Sequence, residues 1–205
     1  MREALGYLVS MLPFALLSVP FSLLWRKQRK KHILKVGQET TKEHEIVSVL
    51  FIMFMSALIS QTVIPEFFIG GNGELLFNRG YDRINLVPFK EIKRALSVGG
   101  SFFLVNFVGN LAVFAPIAFF IALLYNKSGF FKCVSITAVC SVFVEICQIP
   151  QDRGTDIDDV ILNTLGGIAG YIIYLILKIA LPEFTASCKV KISKSETLKN
   201  ENTDL

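Results

Sequence analysis

The sequence predicts an all-α, polytopic transmembrane helical bundle of about five spans, and three observations carry that prediction. Of the 205 residues, 52% are hydrophobic and 18 are Phe, and the mean hydropathy is +0.53, too apolar for a soluble domain of this length. Apolar stretches of about 20 residues recur, the length a helix rising ~1.5 Å per residue needs to cross a ~30 Å hydrocarbon core. Basic residues gather beside these stretches, where they report sidedness and contact with anionic lipid. The formal charge of +4 therefore gives no argument for nucleic acid as a partner.

The first span runs from about Leu5 to Trp25, is interrupted by Pro13 and Pro20, and precedes the basic run Arg26, Lys27, Arg29, Lys30, Lys31 and Lys35. No small-residue cleavage site is evident, so it reads as a retained span rather than a signal peptide. The other spans are expected at about Ile46–Ile64, Phe102–Tyr125, Cys133–Ile149 and Val160–Leu181, leaving loops at 26–45, 65–101, 126–132 and 150–159. This divides the chain into a first span with its basic loop (1–45), a four-span domain (46–181) and a polar tail (182–205) expected to be disordered. With the N-terminus outside, 26–45, 126–132 and 182–205 hold seven, two and four Lys/Arg, against seven on the other face (Arg2, five in 65–101, and Arg153). That thirteen-to-seven excess predicts an outside N-terminus and a cytoplasmic C-terminus. In 65–101 apolar residues alternate with charges, so the segment should lie at the interface or dip into the protein. Pro88 starts a short amphipathic helix there, running through Leu96. Cys133, Cys140 and Cys147 recur every seven residues, about 10 Å apart along one helix, and are expected to pack as apolar side chains without disulfides.

Charge inside a bilayer costs several kcal/mol unless paired or hydrated, which makes the outer ends of the fourth and fifth spans the most informative part of the sequence. Glu145 and Gln148 are three apart, and Asp156, Asp159 and Asn163 follow at i, i+3 and i+7, so each set can share one helical face. Arg153 and Asp158 lie in the same stretch, and the third span adds Asn106 and Asn110. One reading is structural: Asp156 or Thr155 caps the last helix, Arg153 pairs with a carboxylate, and the amides join helix to helix. The other is a site, since a cap needs one acid and several lie near one turn. Asn85, Pro88 and Phe89 can close over this cluster or form a simple turn. Gly166, Gly167 and Gly170 read as a close-packing face.

Catalytic signatures are sparse. The two histidines, His32 and His44, fall in the cytoplasmic loop, away from the outer cluster, so no His-based nucleophile pair or metal site is expected there. Asp156, Asp159 and Glu145 remain candidates for acid/base work, although their spacing alone is a weak signal. No Walker loop or dinucleotide fingerprint is present, and no cofactor is expected.

Four motifs in order resemble the VanZ-like membrane protein family, whose founding member is associated with resistance to the glycopeptide teicoplanin. They are Asn85-Leu-Val-Pro-Phe89; Asn106 through Pro116; Glu145-x-x-Gln148; and Arg153-x-x-Asp156-x-x-Asp159-x-x-x-Asn163-x-x-Gly166 with Gly170 and Tyr171. The similarity covers roughly Ile46 to Leu181. It implies a small multi-pass protein of the bacterial cell membrane that acts on the envelope, and it supplies no catalytic mechanism. The leading expectation is a non-enzymatic protein whose outward polar cleft, built from Asn85, Asn106, Asn110, Glu145, Gln148, Arg153, Asp156, Asp159 and Asn163, binds a headgroup. The partners then expected are membrane lipid and a lipid-linked cell-wall precursor or glycopeptide. The alternatives are an intramembrane enzyme using Asp156 and Asp159 as acid/base groups or metal ligands on a lipid or envelope substrate, and a small transporter with Glu145 as a proton-linked carboxylate.

Overall fold

The computed structural model describes residues 2–35, 37–62, 84–149 and 155–192. Among them the chain forms helices α1 (Arg2–Lys35), α2 (Lys42–Thr62), α3 (Lys90–Val98), α4 (Gly100–Leu124), α5 (Phe130–Gln148), α6 (Ile157–Ala180) and α7 (Pro182–Ser187). A two-residue antiparallel ladder joins β1 (Gln38–Glu39) to β2 (Lys191–Ile192). Helices α2, α4, α5 and α6 are each long and apolar enough to cross a membrane. Together with the 34-residue α1, these four are roughly consistent with the expected bundle of about five spans. Large apolar side chains on the outside of these helices are exposed, among them Phe21, Phe131, Val139 and Ile179. Such a surface is stable only against lipid.

Helix α4 is central. Its second half is the most deeply buried stretch, with Phe114, Ile117, Ala118 and Ile121–Leu124 in the core. Its tightest partner is α6, and glycine is the reason. A Cβ on Gly166 would run into the Leu111 carbonyl, and one on Gly170 into that of Ala115. Without side chains at these two positions, four apart, the backbones of α4 and α6 approach directly. Gly167 turns toward α5, where an added Cβ would stand 2.9 Å from the Thr137 Cβ. Phe51 and Phe54 of α2 pack on Phe120 of α4, with ring centroids 5.3 and 6.2 Å apart.

Two expectations are corrected at the end of the bundle that holds the C-terminus of α1. The stretch 26–45 is not a loop throughout, because Arg26–Lys35 continue α1. The extension is held by α2: Arg26 Nε lies 2.7 Å from Glu45 Oε2, and Arg29 contacts His44 Nε2 at 3.0 Å and Ser48 Oγ at 3.4 Å. Nor is the tail disordered from Pro182 onward. Pro182 opens α7 at its first turn, Thr185 and Cys188 are buried, and the Thr41 hydroxyl and His44 Nδ1 reach the carbonyls of Ser187 and Cys188 at 2.6 Å each. The sequence of this stretch is polar, and its polar groups meet Thr41, His44 of α2, Asn126 and the carbonyls of Ala122 and Tyr125 at the end of α4.

Candidate functional site

At the other end of the bundle, α6 begins beside α3 and the start of α4. Asp156 is the N-cap of α6: its carboxylate accepts the Asp158 amide at 2.9 Å, satisfying one of the donors a helix start leaves open. The same carboxylate accepts the Asn85 side-chain amide at 3.1 and 3.0 Å. A parallel bridge reinforces the pairing, with Asn85 N donating to the Thr155 carbonyl at 2.9 Å and Ile157 N to the Asn85 carbonyl at 3.1 Å. The capping reading of Asp156 is therefore realised, and Asn85 is its partner.

Asp158 is 1% exposed and serves a different helix. It accepts the backbone amides of Phe89, Glu91 (2.7 Å) and Ile92 (3.1 Å), so a carboxylate of α6 caps α3 from outside. Helix α3 has no side-chain cap of its own; Phe89 occupies the cap position at φ +65°, a left-handed conformation costly for a bulky residue. Asp158 compensates by holding the amides that this turn presents. Sequence reasoning placed Asp158 in the cluster but left it out of the binding set. The available signal was the start of α3, where Pro88-Phe89 supplies none of Ser, Thr, Asp or Asn and so calls for a cap from elsewhere.

The remaining polar residues divide into two groups. Glu145 is buried and accepts the Asp156 amide at 3.1 Å, and its carbonyl accepts the Thr155 hydroxyl at 3.3 Å. It thus ties the end of α5 to the start of α6. Gln148 points elsewhere, donating to the last carbonyl of α2 at Thr62, 3.2 Å away. The two do not act on one ligand-facing surface. Asn163 donates to Ser141 Oγ at 2.8 Å, deep between α6 and α5, and its buried Oδ1 lacks a hydrogen-bond partner. Asn110 donates to Asp159 Oδ1 at 2.5 Å. Arg153 lies outside the described residues.

A cavity of about 530 Å³ opens at this junction. Asn85, Asn106, Asp156 and Asp159 of the expected set line it; Asn110, Glu145, Gln148 and Asn163 do not. Lys90, Glu91 and Arg94 of α3 join the lining and were not anticipated. Arg94 contacts Glu91 at 3.3 Å and stands 5.4 Å from the Phe102 ring centre. Asn106 sits in a π-helical turn, Leu104–Gly109, a widened turn that interrupts the i to i+4 ladder and often marks functional positions. Among the described residues no three His, Cys, Asp or Glu side chains group to hold a metal.

Two of the acids that line the cavity, Asp156 and Asp159, are held by side-chain amides. Both oxygens of Asp156 are engaged by Asn85, and one also by the Asp158 amide. Its partner in the aspartate-pair reading, Asp159, is held by Asn110. The chain matches no curated protein and no solved structure. Residues 46–178, which run from the second turn of α2 to two residues before the end of α6, match the VanZ/LLP1 family. The chain belongs to the VanZ/LLP1 family.

Proposed function

We propose that this protein works in the bacterial cell envelope by binding the headgroup of a lipid-linked or cell-wall precursor in the α3–α4–α6 cleft, which faces outside. The observation that carries the reading is the composition of the cavity. Lys90 and Arg94, the latter paired with Glu91 at 3.3 Å, are exposed cations on one wall, suited to phosphate or carboxylate. Asn106 and Asp159 offer hydrogen-bonding groups on the other, suited to sugar or peptide. The volume of about 530 Å³ lies in the range of small-ligand sites, roughly 300–1,000 Å³. Asp156 and Asp158 are already committed to the starts of α6 and α3, which removes one member of the aspartate pair from acid/base work and favours a preformed receptor over an aspartate-pair enzyme.

Bound to a precursor headgroup, such a protein would reduce the access of a glycopeptide to it, which is the route by which it contributes to teicoplanin resistance. Expression in a susceptible bacterium should raise the teicoplanin concentration that stops growth. The Arg94→Ala, Asn106→Ala double variant, at equal membrane abundance, should return it to the baseline. Unchanged susceptibility with the wild-type protein present in the membrane overturns the resistance role.

A further inference from the structure

The opposite end of the bundle holds a second cavity, of about 500 Å³, between the α4–α5 turn, the last turns of α6 and α7. Its charge is of the other sign. Lys127, Lys178 and Lys189 line it, and no Asp or Glu among the described residues does. Tyr171 and Tyr174 complete the wall, the pairing of lysine and aromatic side chains that suits headgroup depth.

Lys189 is fixed in place. Its Nζ donates to the carbonyls of Ala122 and Tyr125 at 2.9 Å each, capping the C-terminal end of α4 where a cation is favoured. It also stands 5.6 Å from the Tyr174 ring centre. Burial first, and then the charge of Lys178, push the Lys189 ammonium below the usual lysine range. An anion between the two lysines would relieve both effects. The cavity also adjoins an exposed apolar stripe. Leu175 lines it, and Ile172 and Ile179, three before and four after it on the same helical face, are 49% and 83% exposed.

We propose that this cavity binds the phosphate of an anionic phospholipid headgroup between Lys127, Lys178 and Lys189, with an acyl chain along the Ile172–Leu175–Ile179 stripe. The site shares no residue with the α3–α4–α6 cleft, so its test is independent of the function assigned there.

Native mass spectrometry of the full-length protein in detergent, titrated with dioleoylphosphatidylglycerol or dioleoylphosphatidylcholine, measures both affinities. The anionic lipid should bind the wild type more tightly. A lysine at a membrane surface is worth about fivefold in anionic-lipid affinity, so the Lys127→Gln, Lys178→Gln double variant should weaken that lipid about 25-fold and weaken the zwitterionic one, whose choline offsets the phosphate charge, much less. Lys189 is kept, because its loss would uncap α4. The Lys30→Gln, Lys31→Gln variant, altered at exposed positions of the same end, should bind like the wild type. Undiminished phosphatidylglycerol binding by the first variant overturns the proposal, as does an equal loss in the second, which would mark a diffuse surface potential. Sodium phosphate that displaces the lipid would assign the cavity to a soluble phosphate and overturn the lipid reading.

Discussion

Asp158 reaches from the first turn of α6 to the amides of Phe89, Glu91 and Ile92, and through them fixes the wall of the cleft that carries Lys90 and Arg94. Removing it leaves several donors near a buried position without a partner and a left-handed Phe89 without its restraint. Asp158→Ala should therefore lower stability by about 2–4 kcal/mol. Asp158→Asn keeps one acceptor oxygen but turns an amide toward backbone donors, and should recover only part of that loss. Thermal unfolding of the purified variants in one detergent gives the ranking, and an alanine variant that melts with the wild type would remove Asp158 from its capping role. Asp156 differs in kind, since its acceptors serve both its own helix and Asn85.

Between elements, the close approach of α4 and α6 rests on Gly166 and Gly170. Gly170→Ala would drive a methyl group into the Ala115 backbone, and overpacking of this kind costs about 1–3 kcal/mol or more. Gly109→Ala meets nothing closer than the Leu104 carbonyl at 3.6 Å and should be near neutral. Comparing the two in a reversible detergent-unfolding assay isolates packing from helix propensity, and equal effects would refute the glycine contact. This face was legible in the sequence, as were the spans, because hydropathy and small-residue spacing are properties of a single helix. The amphipathic helix after Pro88 was legible too, and begins two residues later, at Lys90. What escaped depended on a second element. Arg26–Lys35 stay helical through Glu45, His44 and Ser48 of α2, and the carbonyls of Ser187 and Cys188 are met by Thr41 and His44, about 145 residues away in sequence. Glu145 and Gln148 share a helical period, yet one turns to Asp156 and the other to Thr62, a choice set by which helix end lies nearest.

On the scale of the molecule the two ends have opposite characters: one joins carboxylates to helix starts around a cleft, and the other gathers lysines around a cavity and a small ladder. The lysine-rich end should face the cytoplasm. In intact cells, a single cysteine at Gln38 should then be protected from an impermeant thiol reagent, and one at Lys93 labelled; the reverse pattern would invert the topology. The central claim is that the α3–α4–α6 cleft holds an envelope headgroup, and lipid-resolved mass spectrometry of protein purified from a bacterial membrane tests it most directly. The wild type should retain a lipid-linked saccharide or peptide species, and the Arg94→Ala, Asp159→Asn variant, matched in melting temperature, should lose that species while keeping its bulk phospholipid. An identical set of co-purifying molecules in the two proteins, or none beyond bulk phospholipid in the wild type, would contradict it.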